Sequence, residues 1–146
     1  MNIVKVLLTL LLIALFFTGC KKTGEDYYKL GLKYDGGKEG NQKDFKKARE
    51  LYKKSCELYS GAGCASLAIL YLKAAGGPQN IEKGKEYLKE ACDLKYGKGC
   101  FVLAITYEND PDEASKFYKK GCDLGESISC KALALLKEKE KKHSKE

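Results

Sequence analysis

The sequence predicts an all-α solenoid of about three helix hairpins, each stapled by a disulfide, closed by a C-terminal capping helix. Three observations carry this prediction. First, the frame Cys56-Glu-Leu-Tyr-Ser-Gly-Ala-Gly-Cys64 returns as Cys92 to Cys100 and again as Cys122 to Cys130. Second, the surroundings of each frame match in register. A small residue stands eight positions upstream (Ala48, Gly84, Ala114), followed by Leu51-Tyr52, Tyr87-Leu88 or Phe117-Tyr118. A Leu stands two positions after the first cysteine (Leu58, Leu94, Leu124), and Leu-Ala three after the second (Leu67-Ala68, Leu103-Ala104, Leu133-Ala134). Third, the apolar residues between frames recur at helical spacing, with Gly-rich punctuation. Self-similarity at such a period marks stacked supersecondary units.

The leader comes first. Lys5 supplies a positive charge, Val6 to Phe17 is an apolar run broken only by Thr9, and Gly19 precedes Cys20. The run is short for a bilayer span and suits a targeting segment. Phe17-Thr18-Gly19-Cys20 resembles a bacterial lipobox, which implies cleavage after residue 19 and acylation of Cys20; Phe17 departs from the Leu usual there. Lys21 at the next position implies the outer membrane, facing periplasm or surface, by resemblance to the sorting rule of enteric bacteria. An ordinary cleaved signal, with a secreted or periplasmic product, is the alternative. The resulting division is leader 1–19, tether 20–25, repeat domain 26–137 (about 27–63, 64–99 and 100–129, with a cap at 130–137) and charged tail 138–146.

Within the repeat domain, helix A1 is expected from Asp26 to Tyr34, a loop over 35–43, and helix B1 from Asp44 to Leu58. Helix A2 follows from Ala62 to Lys73, then a Gly76-Gly77-Pro78 loop and helix B2 from Ile81, capped by Asn80, to Leu94. Helix A3 spans Lys98 to Tyr107. Helix B3 has the best start signal, with Asp110 as N-cap, Pro111 at the first position and Glu113 three residues after the cap. It ends near Leu124. A last helix starts near Ser127 and is expected to fray from Lys137.

Aligning the A helices gives Leu30-Gly31-x-x-Tyr34, Leu67-Ala68-x-x-Tyr71, Leu103-Ala104-x-x-Tyr107 and Leu133-Ala134-x-x-Lys137. Lys137 in place of the Tyr suits a terminal helix with no neighbour to cover it. Tyr27 stands where the other A helices carry Cys64, Cys100 and Cys130. Pairing within repeats, Cys64 with Cys92 and Cys100 with Cys122, would therefore strand Cys56 and Cys130. Pairing across the short turns, Cys56 with Cys64, Cys92 with Cys100 and Cys122 with Cys130, uses all six. Each such loop should contribute about 2.5 kcal/mol by restricting the unfolded chain.

Composition narrows the function. The 146 residues, 44% hydrophobic and 32% charged, suffice for one domain. The formal charge of +7 is spread through Lys-Glu-rich helices, which speaks for a solvated face and against nucleic acid. Seven cysteines with one histidine suit an oxidising compartment and disfavour a zinc framework. No metal and no other cofactor is expected.

The motif K-[AG]-x-x-[LYF]-[YL]-x-[KE]-x-C-[DE]-L, followed by C-x-x-L-A-x-x-Y, resembles Sel-one-like repeats, relatives of tetratricopeptide repeats. Cysteines eight apart at the turn narrow the resemblance to the Helicobacter cysteine-rich protein family, over about residues 25 to 137. Cys64 to Cys100 is 36 residues and Cys100 to Cys130 is 30, the missing six falling between Tyr107 and Ala114. The resemblance implies a right-handed solenoid with a concave face. It also implies a link to β-lactams, because members of that family are commonly described as penicillin-binding proteins or β-lactamases. The residues supply no such mechanism: no Ser or Thr after residue 19 has a Lys at the third following position.

Two functions compete on this reading. One is an exported scaffold that holds a protein or peptide partner, expected as a monomer and tied to the membrane by its lipid. The alternative is a β-lactam-binding protein or weak β-lactamase acting on a β-lactam or peptidoglycan-like ligand, with no catalytic residue assignable. Tyr34, Tyr71 and Tyr107 share one repeat position and are expected to pack between units. Tyr27, Tyr28, Tyr59 and Tyr96 fall outside it and are the candidate contact residues, since Tyr offers large area with a polar tip.

Overall fold

The computed structural model describes residue 3 and residues 21–36 and 42–143. Apart from residue 3, the leader expected over 1–19 lies outside the described residues, as does the lipidation site Cys20. So do most of the first loop and the end of the tail.

From residue 21 on, the described residues form seven helices in order, α1 (Gly24–Gly36), α2 (Phe45–Glu57), α3 (Gly61–Leu72), α4 (Ile81–Asp93), α5 (Gly97–Ile105), α6 (Pro111–Asp123) and α7 (Ser127–His143). No strand occurs among the described residues. Side-chain caps set several helix starts. Asp44, Ser60, Asn80 and Asp110 each accept a hydrogen bond from the backbone N–H three residues on, satisfying a donor the helix cannot pair.

Most boundaries fall within two residues of the sequence expectation, and two departures have a clear cause. The tether shortens because Thr23 and Asp26 form a reciprocal cap: Thr23 Oγ1 accepts from Asp26 N at 3.2 Å and Asp26 Oδ2 accepts from Thr23 N at 2.8 Å. At the other end α7 runs to His143 through the expected frayed tail. Lys and Glu are strong helix formers, and Glu138 stands four residues before Lys142, the favourable order for such a pair.

Each A helix packs antiparallel on the B helix that follows it: α1 on α2, α3 on α4, α5 on α6. Each B helix also packs on the next A helix, so α7 closes on α6. Neighbouring A helices touch as well, α1 with α3, α3 with α5 and α5 with α7, while no comparable contact joins successive B helices among the described residues. The A layer therefore lies on the inner side of the curve. Curvature of this kind is what gives repeat proteins an extended concave surface.

The core lies between the layers. Ala48, Tyr52, Leu67 and Leu70 fill its first half; Cys56, Cys64, Ala68, Leu88, Ala91 and Leu103 fill its second. Tyr71 stacks on Tyr87 with centroids 5.7 Å apart, and Tyr107 on Phe117 at 5.6 Å. The recurring Tyr thus stacks on an aromatic of its own hairpin and also meets the preceding one: Tyr71 packs against the cluster of Ala48 and Tyr52 and under Arg49, and the Lys85 ammonium lies 5.0 Å from the Tyr107 centroid. Three disulfides, Cys56–Cys64, Cys92–Cys100 and Cys122–Cys130, tie each B helix to the next A helix with Cα atoms 4.5 to 4.7 Å apart. All three turns place the third residue after the first cysteine in the left-handed region: Tyr59 at φ 59°, Lys95 at 64° and Gly125 at 86°.

Candidate functional site

Helical geometry divides each A helix into two faces. The aligned residues Leu67 and Leu103 are 0% and 1% exposed and point at the B layer. Two residues later the chain has turned about 200°, so the side chain there points away from the B layer. That position holds Leu32, Ile69, Ile105 and Leu135, one aliphatic residue per A helix. Leu32, Ile105 and Leu135 are 41%, 47% and 62% exposed; Ile69, in the middle of the row, is half-buried. The result is an apolar file across the concave side, crossing all four A helices.

Two of the four tyrosines singled out from the sequence lie on the rim formed by the N-terminal ends of the A helices, Tyr28 near the start of α1 and Tyr96 at the N-cap of α5. Tyr28 tilts against Tyr52 with centroids 6.0 Å apart, and Tyr96 leans on α3, where a β-carbon at Gly61 would lie 2.6 Å from Tyr96 Cβ. Burial raises both phenols above the ordinary tyrosine value, and Glu25 adds to both shifts. Glu25, in the first turn of α1, acts on both phenols from the same rim.

The structure does not bring the other two to that rim. Tyr27 lies between Lys22 and Lys54, whose ammonium nitrogens are 5.9 and 5.8 Å from its ring. Tyr59 sits at the tip of the first disulfide turn, 80% exposed, beside Glu86, Lys89, Glu90 and Leu94 of the second hairpin. The sequence reading missed the aliphatic file itself. Its signal lies in the aligned A helices, where the third position of Leu-small-x-x-Tyr is always Leu or Ile.

The serines needed for acyl transfer are engaged in structure or lack a base. Ser55 is buried and its Oγ donates to Gly24 O at 2.6 Å. Ser60 caps α3. Ser66 lies beside the Tyr52 hydroxyl. The Ser129 hydroxyl is buried with no hydrogen-bond partner. No side-chain hydrogen bond among the described residues joins a serine hydroxyl to Lys, His or Glu, so the activation a nucleophilic serine requires is not assembled there. The one cluster of metal-ligand types among the described residues, Cys56, Cys64 and Glu90, contains a disulfide and offers no thiolate. No helix of the described residues is long and apolar enough to cross a membrane.

Comparison with known proteins agrees with this geometry. The Sel1 repeat family model matches residues 24–60, 61–96 and 100–126. A Sel1 repeat protein from Oxalobacter formigenes is similar in structure, with a TM-score of 0.69 and 20% identity over 77% of this chain and 47% of that one. A protective antigen of uropathogenic Escherichia coli strains, displaying an SLR fold, gives a TM-score of 0.70 and 22% identity over 78% of this chain and 26% of that one. Helicobacter pylori cysteine rich protein B gives a TM-score of 0.60 and 23% identity over 79% of this chain and 100% of that one. At such identities the likeness concerns the fold, and this chain spans less than half the length of the first two structures. No curated protein matches the chain in sequence.

Proposed function

Because the chain belongs to the Sel1 repeat family, we propose that it is an exported, lipid-anchored scaffold that holds a protein or peptide partner against its A-helix face. The observation that carries this reading is the file Leu32, Ile69, Ile105 and Leu135. Its residues repeat at one position, and three of them lie exposed where the core makes no use of them. Packed helices stand about 8–10 Å apart, so the file presents an aliphatic contact at roughly that interval. An amphipathic helix advances about 10.5 Å over a heptad, and an extended strand covers about 10 Å in three residues. A partner of either form with apolar residues at that period would meet every A helix, with Tyr28 and Tyr96 contacting its polar edge.

Export and anchoring rest on the sequence. The apolar run ending in Phe17-Thr18-Gly19-Cys20 supports a lipidated leader, and six cysteines joined in pairs suit an oxidising envelope compartment. Cys20 is then the anchor, and its membrane brings the concave face to partners held in the same envelope.

The test is capture by chemical crosslinking in the source bacterium, comparing the wild-type chain with Leu32→Glu/Ile105→Glu. Both positions are exposed, so the variant should keep its thermal midpoint. Loss of a crosslinked partner at unchanged stability is the expected result. An identical crosslinking pattern from the variant would show that the partner, if one is captured, sits elsewhere.

A further inference from the structure

We propose that the notch where α2 meets the end of α3 and the following glycine loop binds an oxyanion, a carboxylate or phosphate group, through Arg49 and its neighbouring lysines. Arg49 is the chain's sole arginine. Its guanidinium carbon lies 3.7 Å from the centroid of the Tyr71 ring, and Tyr71 is itself stacked on Tyr87. Its Nη2 donates to Pro78 O at 3.2 Å. Gly77 leaves room for the group, since a β-carbon there would lie 2.1 Å from Nη1.

These contacts fix the guanidinium but use one donor of its fork. Nε is buried with no hydrogen-bond partner, a costly state for a charged donor. Beside it is a cavity of about 240 Å³ lined by Lys46, Arg49, Glu50, Lys53 and Tyr71, among others. Lys83 reaches the same ring from α4, its ammonium 6.0 Å from the Tyr71 centroid. Lys53 is drawn to Glu57 at 3.8 Å, whereas neither Lys46 nor Lys83 pairs with a carboxylate among the described residues. Arg49 and Lys83 thus share the Tyr71 ring, while Lys46 and Lys53 join Arg49 in lining the cavity, where Glu50 is the single acidic group.

Glu50 and the Glu57 carboxylate that draws Lys53 offset only part of this positive charge, and an oxyanion placed among the cations relieves the remaining repulsion. The planar arginine fork matches two oxygens of a carboxylate or phosphate. Because ring stacking and the Pro78 bond already hold the fork, little side-chain freedom is lost when the anion arrives. The notch is built from α2 and the end of α3, not from the exposed A-helix file, so this site stands or falls independently of the scaffold reading.

The experiment titrates isotope-labelled, oxidised Cys20→Ser protein with inorganic phosphate and, separately, with sodium acetate, at constant ionic strength. It follows the Arg49 Nε–H resonance and the Gly76 and Gly77 amides. The expected result is a saturable shift of these signals with at least one anion, and the anion that saturates identifies the group. Lys46→Gln/Lys83→Gln, which disturbs no hydrogen bond, should keep the fold and weaken binding roughly fivefold or more. Arg49→Lys, which loses the fork, should weaken it further. Shifts that grow linearly with both anions, or an affinity unchanged in the double-lysine variant, would overturn the proposal.

Discussion

Gly63 and Ser55 meet beside the first disulfide so closely that a β-carbon on Gly63 would lie 2.1 Å from Ser55 Oγ. The same encounter recurs next to each disulfide, between the residues that precede the two cysteines. In the second turn a β-carbon on Gly99 would lie 2.6 Å from Ala91 Cβ. In the third turn the partners exchange: Gly121 stands on the B helix, and its β-carbon would lie 2.4 Å from Ser129 Oγ on the A helix. Cα atoms 4.5 to 4.7 Å apart at the disulfide bring the helices too near for two side chains, so one partner is always glycine.

This exchange predicts a coupled mutant cycle. Gly63→Ala should destabilise by about 1–3 kcal/mol through overpacking. Ser55→Gly alone should also cost stability, because it removes the hydrogen bond to Gly24 O and loosens α2. The double variant Ser55→Gly/Gly63→Ala recreates the third turn's arrangement and should cost clearly less than the sum of its parts. Urea unfolding of the four proteins measures the coupling, and strict additivity would count against the close-contact account.

The left-handed turn position makes a second prediction. A side chain there costs about 1–2 kcal/mol relative to the ordinary region, and glycine avoids that cost at the expense of unfolded-state entropy. Tyr59→Gly should therefore stabilise the chain slightly, by about 0.5–1 kcal/mol. Gly125→Ala should destabilise it by a similar amount although nothing lies within 4 Å of the added carbon. Thermal midpoints in opposite directions are the expected outcome; a stabilised Gly125→Ala would contradict the backbone argument.

Alkaline pH should unfold the protein more readily. Burial raises the phenols of Tyr52, Tyr28, Tyr87, Tyr96 and Tyr118, and for Tyr52 the nearby Asp35 carboxylate adds to the shift. Tyr52 also donates to Asp35 Oδ2 at 3.1 Å. Each folded pKa is raised, so between the unfolded value near 10 and the higher folded value the unfolded chain has lost protons the folded chain keeps. The stabilising contribution is fully present below that unfolded value and is lost as pH rises above it. Unfolding free energies should stay level from about pH 7 to 9 and fall beyond 10, with a shallower fall in Tyr52→Phe. Cys20→Ser protein, which lacks the unpaired thiol, is the background to use at high pH.

Anchoring is tested by fractionation. In its own bacterium the wild-type chain should partition with membranes, and Cys20→Ser should move to the soluble periplasm or the medium. Mass spectrometry of the membrane form should find acyl groups on Cys20. Persistence of the Cys20→Ser chain in the membrane fraction would remove the lipoprotein reading.

Much of the architecture was readable from spacing alone. The cysteine frames, the Leu-Ala pairs and the Asp110-Pro111 start locate the helices to within a few residues, because capping and amphipathic burial act locally and leave local marks. The Thr23–Asp26 cap was overlooked because Gly24 reads as a breaker, whereas here it lets the start of α1 approach the end of α2. The continuation of α7 was overlooked because an alternating Lys-Glu run reads as a tail when its helix propensity is ignored.

What the sequence determined by itself was the repeat: where the helices after the first one start, which residue faces the core, and that six cysteines pair across the turns. Those features depend on neighbours a few positions apart along the chain. What only the tertiary structure decided was which surfaces converge. That Tyr28 and Tyr96 share a rim while Tyr27 and Tyr59 do not, and that Arg49 meets Tyr71 and Pro78, follows from how one hairpin lies on the next. Pairs such as Tyr28 and Tyr96 are set by the layering of A helices against one another, a long-range packing outcome that no local spacing encodes.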